Sequence, residues 1–106
     1  MWNVTDNNLQ MAEGDYGIDL PVELHGMTLG ASDSIRITFK DRKNGNEILV
    51  KDFNNIVDNT ANLVFTEAES AKFPVGVYVY SLDWYQNGNF MCNIILCSTF
   101  RVVDKA

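Results

Sequence analysis

The residues that could do chemistry are few and scattered. His25 is the only histidine and could act as a general base, but no Ser or Cys in a defined motif lies near it, and no third group is at hand to orient its ring. Beside Gly26 it reads more simply as a solvated or capping side chain. Asp15, Asp19 and Glu23, or Glu67 and Glu69, could gather calcium; neither group has the alternating-oxygen loop with a closing Glu that a dedicated site needs. They read as surface charge. No glycine run opens a helix with a Lys, so no phosphate-binding loop is expected. Cys92 and Cys97 fall in one predicted strand, where an odd separation places them on opposite faces and a rise of roughly 3.3 Å per residue keeps them beyond disulfide reach. With a single histidine and no second Cys pair, a zinc site is not expected either. The expectation is two reduced, largely buried thiols in a reducing compartment. No catalytic residue, metal or cofactor is predicted.

Contact chemistry is better represented. Trp84, Tyr85 and Phe90 flank the Asn87-Gly88 turn, and an apolar cluster at a hairpin tip could bind sugar or protein. The competing reading is that Trp84 packs the end of the core while Tyr85 and Phe90 cover the hairpin. Val77 and Val79 are a second candidate, because both fall on the outward face of a strand that turns Tyr78, Tyr80, Leu82 and Trp84 inward.

The stretch that must position these residues runs from Thr66 to Trp84. Thr66 with Glu69 three residues on is a capping-box pattern, which predicts about one and a half helical turns over Glu67 to Lys72. Pro74 and Gly76 stop it. The Gly76-x-Tyr78 spacing resembles the tyrosine corner of immunoglobulin-like sandwiches, in which a Tyr hydroxyl bonds upstream backbone, and Pro74, Gly76, Tyr78 and Tyr80 are the candidate corner residues.

Around it, strands predominate. Apolar residues make up 46% of 106, with only two prolines, enough for one folded domain. Residues 1–8 are polar and read as a loosely ordered start, with a short edge strand over Leu9 to Met11. Ile18, Leu20, Val22 and Leu24 alternate inward in a half-buried strand that Pro21 assigns to an edge. Ile35, Ile37 and Phe39 alternate inward before Asn44-Gly45, a strong hairpin signal whose residues both tolerate positive φ. The return strand is Glu47 to Phe53, and Asn62 to Phe65 forms a short strand. Phe90 to Val103 is too long for a straight strand, which predicts a break near Leu96 to Ser98; residues 104–106 form a tail. About seven strands with frequent turns predict an all-β, antiparallel immunoglobulin-like β-sandwich in a single domain over 1–106.

The net charge of −6 argues against nucleic acid and anionic lipid as partners. Lys40, Arg42 and Lys43 form the tightest basic group and read as a solvated hairpin tip. No leader pattern or membrane-length apolar run is visible.

In order, Gly14-Asp15, the strand Ile18 to Leu24, the hairpin Ile35 to Val50, Leu63-Val64-Phe65-Thr66, Phe73-Pro74-Val75-Gly76-Val77-Tyr78-Val79-Tyr80 and Ser98-Thr99-Phe100-Arg101-Val102 make a pattern. It resembles the small immunoglobulin-like β-sandwich proteins of phage and prophage tails, similar to the N-terminal domain of phage baseplate upper proteins. Ser98 stands where those proteins usually carry Gly, and Ser81 where an Asp follows the second Tyr. The resemblance implies a non-enzymatic structural protein of a tail or baseplate, found in the virion or in the bacterial cytoplasm before assembly. Its partners would be other phage structural proteins or itself, as a homo-oligomer. The alternative is a carbohydrate-binding or adhesion module using Trp84, Tyr85 and Phe90.

Overall fold

Period-two runs become strands, and the register between them decides which face each side chain takes. The computed structural model describes residues 3–5, 7–24, 29–53, 56 and 58–104; His25 and most of the 104–106 tail lie outside them. Among the described residues the order is β1 (Asn3–Thr5), β2 (Asn8–Ala12), β3 (Leu20–Glu23), β4 (Asp33–Lys40), β5 (Glu47–Phe53), β6 (Thr60–Leu63), α1 (Glu67–Ser70), β7 (Gly76–Gln86) and β8 (Asn89–Val103). Six strands form one sheet, β1-β2-β8-β7-β4-β5, and β3 pairs with β6 in a second. The protein is all-β.

The hydrophobic core is built from the inward rows of the large sheet. Ile35, Ile37 and Phe39 of β4, Tyr80 and Leu82 of β7, and Phe100 and Val102 of β8 join Leu63 of β6 and the linking Phe65 and Phe73. Leu20 and Val22 of β3 pack against the same cluster. Phe39 sits among Phe65, Phe73 and Phe100, with ring centroids 5.1 to 5.5 Å away. Edge-to-face and tilted pairs of this kind add to the burial of large side chains.

Turn chemistry follows the Asn-Gly signals, with one difference. At Asn87-Gly88 both φ angles are positive, 50° and 79°, as a two-residue primed turn between β7 and β8 demands. At the β4–β5 hairpin only Asn44 is positive, at 62°. Gly45 is needed there for space: a Cβ would come within 1.9 Å of Asp41 Oδ1 and 2.9 Å of the Arg42 carbonyl oxygen.

Several expectations are corrected. The start is not loosely ordered throughout, because Asn3–Thr5 pairs with β2 as an antiparallel ribbon. β2 is not an edge: it lies between β1 and β8 and runs parallel to β8, so the large sheet is mixed rather than antiparallel. Eight strands are present among the described residues. Ile18 lies outside β3 and is 40% exposed, so the inward row begins at Leu20. The short strand after the Asn-rich loop is Thr60–Leu63, two residues earlier than expected. Pro21 does lie on a strand with a single partner.

The long last strand breaks as its length requires. Between Tyr80↔Ser98 and Tyr85↔Phe90 the β7–β8 register slips three times, each slip placing an extra residue on β8. Cys92 and Cys97 are free, and both are exposed, which corrects their assignment as buried. Cys92 pairs with Trp84 on the inward row, and Cys97 lines the outer face beside Val79 and Ser81. They do take opposite faces: Cys97 lies on the open outer face, and Cys92 belongs to the exposed hairpin end over residues 87–93.

Candidate functional site

The corner forms as the spacing predicts. The Tyr78 hydroxyl donates to the Pro74 carbonyl at 2.5 Å, and its ring meets Phe73 edge-on at 5.2 Å. Burial, with the charge of Glu13 adding to it, pushes the Tyr78 hydroxyl pKa above the usual tyrosine value. Gly76 has no positive φ, and a Cβ there would meet nothing closer than the Tyr78 hydroxyl at 3.6 Å. The corner is made by Pro74 and Tyr78. Tyr80 plays a different part. Its hydroxyl donates to the Asn7 carbonyl, which also accepts from Ser98 Oγ at 2.9 Å. These two bonds fasten the turn between β1 and β2 to the large sheet. Burial raises the Tyr80 pKa, with Ser98 opposing.

The three-aromatic cluster does not assemble. Trp84 faces inward, half-buried against the core, and its Nε1 donates to the buried Asp33 carboxylate at 3.1 Å. Tyr85 and Phe90 lie opposite each other on the outward row, with ring centroids 5.7 Å apart. A single residue of strand separates Trp84 from Tyr85, and the period of two sends them to opposite faces.

The outer face of the large sheet is set by the same alternation. Val77, Val79, Ser81, Asp83 and Tyr85 of β7 share it with Arg36, Thr38 and Lys40 of β4. Val77 is 57% exposed and Phe90 54%, so two apolar groups stand open near opposite ends of the face. Val79 is half-buried between Lys40 and Thr99. The end nearer Phe90 is already occupied by its own contacts. Arg36 bonds Asp52 at 2.7 and 3.3 Å, places its guanidinium 4.6 Å from the Tyr85 ring centroid and donates to the Tyr85 hydroxyl at 3.3 Å. The Asp52 hydrogen bond is the largest influence on the guanidinium and raises its pKa.

Between these ends lies a trough of about 300 Å³. It is lined by Thr38 and Lys40 of β4, Lys43 and Asn44 of the turn that follows, Val79, Ser81 and Asp83 of β7, and Asn93 and Cys97 of β8, among others. The sequence places Thr38 and Lys40 on one outward row and Ser81 on another, but only the pairing of Thr38 with Ser81 brings the rows together. Lys43 is exposed in the turn between β4 and β5, as a solvated tip requires, and Lys40 at the end of β4 is half-buried. A second cleft, about 340 Å³, opens between β3 and the bulged part of β8, lined by Leu9, Leu20, Val22, Leu82, Ile94 and Ile95 among others.

Among the described residues, no group of three or more His, Cys, Asp and Glu side chains could hold a metal ion, and no helix is long and apolar enough to cross a membrane. No known protein family matches the chain, and no curated protein is similar to it.

Proposed function

We propose that this chain is a non-enzymatic assembly module that associates through the outer face of its six-stranded sheet, with a second copy of itself or with another structural protein. The observation that carries this is Val77. Its neighbour Tyr78 is committed to the corner, so strand alternation holds Val77 outward, and it stands 57% exposed where a solvated sheet face would carry a polar residue. Val79 continues the row inward, and Phe90 supplies a second exposed apolar group on the same face.

The finer fold reading is an immunoglobulin-like sandwich. In its favour, β4, β7 and β8 form a central three-stranded unit extended by β5, while β3 and β6 pair separately, and a tyrosine bond stands at the entry to β7. The placement in a phage or prophage tail or baseplate rests on the resemblance of the Phe73 to Tyr80 and Ser98 to Val102 segments. Among the described residues the free edges of the large sheet are β1 and β5, and β8 lies inside it. The sugar-binding alternative loses its platform, since Trp84 faces away from Tyr85 and Phe90.

Light scattering over a dilution series tests the proposal. The apparent mass is expected to rise with concentration, and Val77→Lys with Val79→Lys is expected to remain a monomer of unchanged fold. A wild type that is monomeric throughout, and indistinguishable from the double variant both in solubility and in binding to the products of neighbouring genes, would overturn it.

A further inference from the structure

The trough on the outer face has a chemistry of its own. Two lysines, Lys40 and Lys43, line it together with the hydroxyl-bearing Thr38 and Ser81. Among the described residues, none of these four side chains has a hydrogen-bond or ion-pair partner, although Thr38 is only 6% exposed. Asp83 is the one carboxylate in the lining, and it is engaged: Asn93 Nδ2 donates to it, and Arg36 lies opposite in register. The unused groups therefore include two ammonium heads, two hydroxyls and the Asn44 amide, and the two lysines outnumber the single Asp83 carboxylate on a chain of net charge −6. Held at the edge of a concave surface, they favour a negative, hydrogen-bond-accepting group.

We infer that the trough is a carboxylate-binding site, and that its occupant is an acidic side chain of the protein that docks on the outer face. The protein source rests on the proposed assembly function, and the surroundings of the trough favour it. Val79 continues from the lining to exposed Val77, so a ligand that fills the trough has an apolar contact waiting beside it. An apolar contact next to a charge-assisted hydrogen bond is how interfaces fix register and choose partners. A carboxylate placed between Lys40 and Lys43 also finds the Thr38 and Ser81 hydroxyls as donors.

The test uses the whole chain and a minimal probe, N-acetyl-glutamate N-methylamide, followed by the amide resonances of the isotope-labelled protein. Saturable shifts are expected at Thr38, Lys40, Val79 and Ser81. The N-acetyl-glutamine analogue should bind about tenfold more weakly, as expected for the loss of two partly exposed charge contacts. Lys40→Gln with Lys43→Gln should remove the shifts while leaving the rest of the spectrum in place. Raising the salt should weaken binding of the glutamate probe but not of its neutral analogue.

Shifts that do not saturate, that map elsewhere, or that are equal for the two probes would overturn the site. Inorganic phosphate is the competing source: binding tenfold tighter than the glutamate probe at the same residues would overturn the protein occupant. Failures of the two proposals separate cleanly. If Val77→Lys with Val79→Lys abolishes association while the glutamate probe does not bind, the trough is wrong and the interface stands. If the probe binds but those valines prove inert, the reverse holds.

Discussion

Tyr78 and Tyr80 sit two residues apart on one face and use their hydroxyls in different ways. The Tyr78 bond closes a corner four residues back, so its partner is legible from Pro74 and the spacing alone. Tyr78→Phe should lower stability by about 0.5–1.5 kcal/mol, the net worth of one hydrogen bond, read as a shift in the urea midpoint; an unmoved midpoint would mean that the bond contributes nothing. Gly76, by contrast, looks essential in sequence and is not held by its backbone or its space. Gly76→Ala should therefore leave the midpoint unchanged or raise it slightly, and a loss above about 1 kcal/mol would show that the space is tighter than the contacts indicate. The partners of Tyr80 and Trp84 lie 73 and 51 residues away and leave no local signal. Nor do the thiols: the alternation gives their opposite faces but not that the outer face and the hairpin end over residues 87–93 are both open. Both Cys92 and Cys97 should react with a thiol reagent in the native protein at rates near those of a free thiol. Protection of either one until denaturant is added would restore the buried assignment.

At the scale of the element, α1 shows how one short helix is held. Thr66 accepts from the Glu69 amide at 3.1 Å, and the Glu69 carboxylate accepts from the Thr66 amide at 2.9 Å, the reciprocal pair that the Thr-x-x-Glu pattern announces. The same carboxylate takes the Lys51 ammonium of β5 at 2.8 Å, and Lys51 also reaches the Val64 carbonyl. That link joins α1 to the large sheet and is invisible in sequence, because it depends on where β5 falls. Burial works to raise the Glu69 pKa, but the Lys51 and Thr66 bonds outweigh it and the net shift is downward. A carboxyl depressed in the folded state contributes stability that is complete above its unfolded value, about 4.3, and is lost as pH falls through the folded value. The stability gap between wild type and Glu69→Gln should therefore be full at neutral pH and shrink below about pH 4, as measured by urea titrations across that range. A gap that is constant with pH would show that the charge is not what holds α1. The length of β8 likewise announces a break, whereas the parallel pairing of β2 with β8 could not be read, since nothing local in a five-residue strand specifies its neighbour.

For the whole molecule, alternation along β7 is enough to send Val77 and Val79 outward and Tyr78, Tyr80, Leu82 and Trp84 inward. It does not say that β4 and β8 flank β7, and without that register neither the trough nor the separation of Trp84 from Phe90 can be drawn. The six-stranded sheet leaves one broad face open, with exposed Val77 and Phe90 toward its ends and the two trough lysines between them, and this is the face proposed for assembly. The most direct test is methyl NMR of valine-labelled protein followed from dilute to concentrated solution. Val77 and Val79 are expected to shift together with concentration, while Val22 beside the core and fully buried Val102 stay fixed. Concentration-independent spectra, or shifts confined to Val22 or to exposed Val75 on the connection before β7, would contradict self-association through this face.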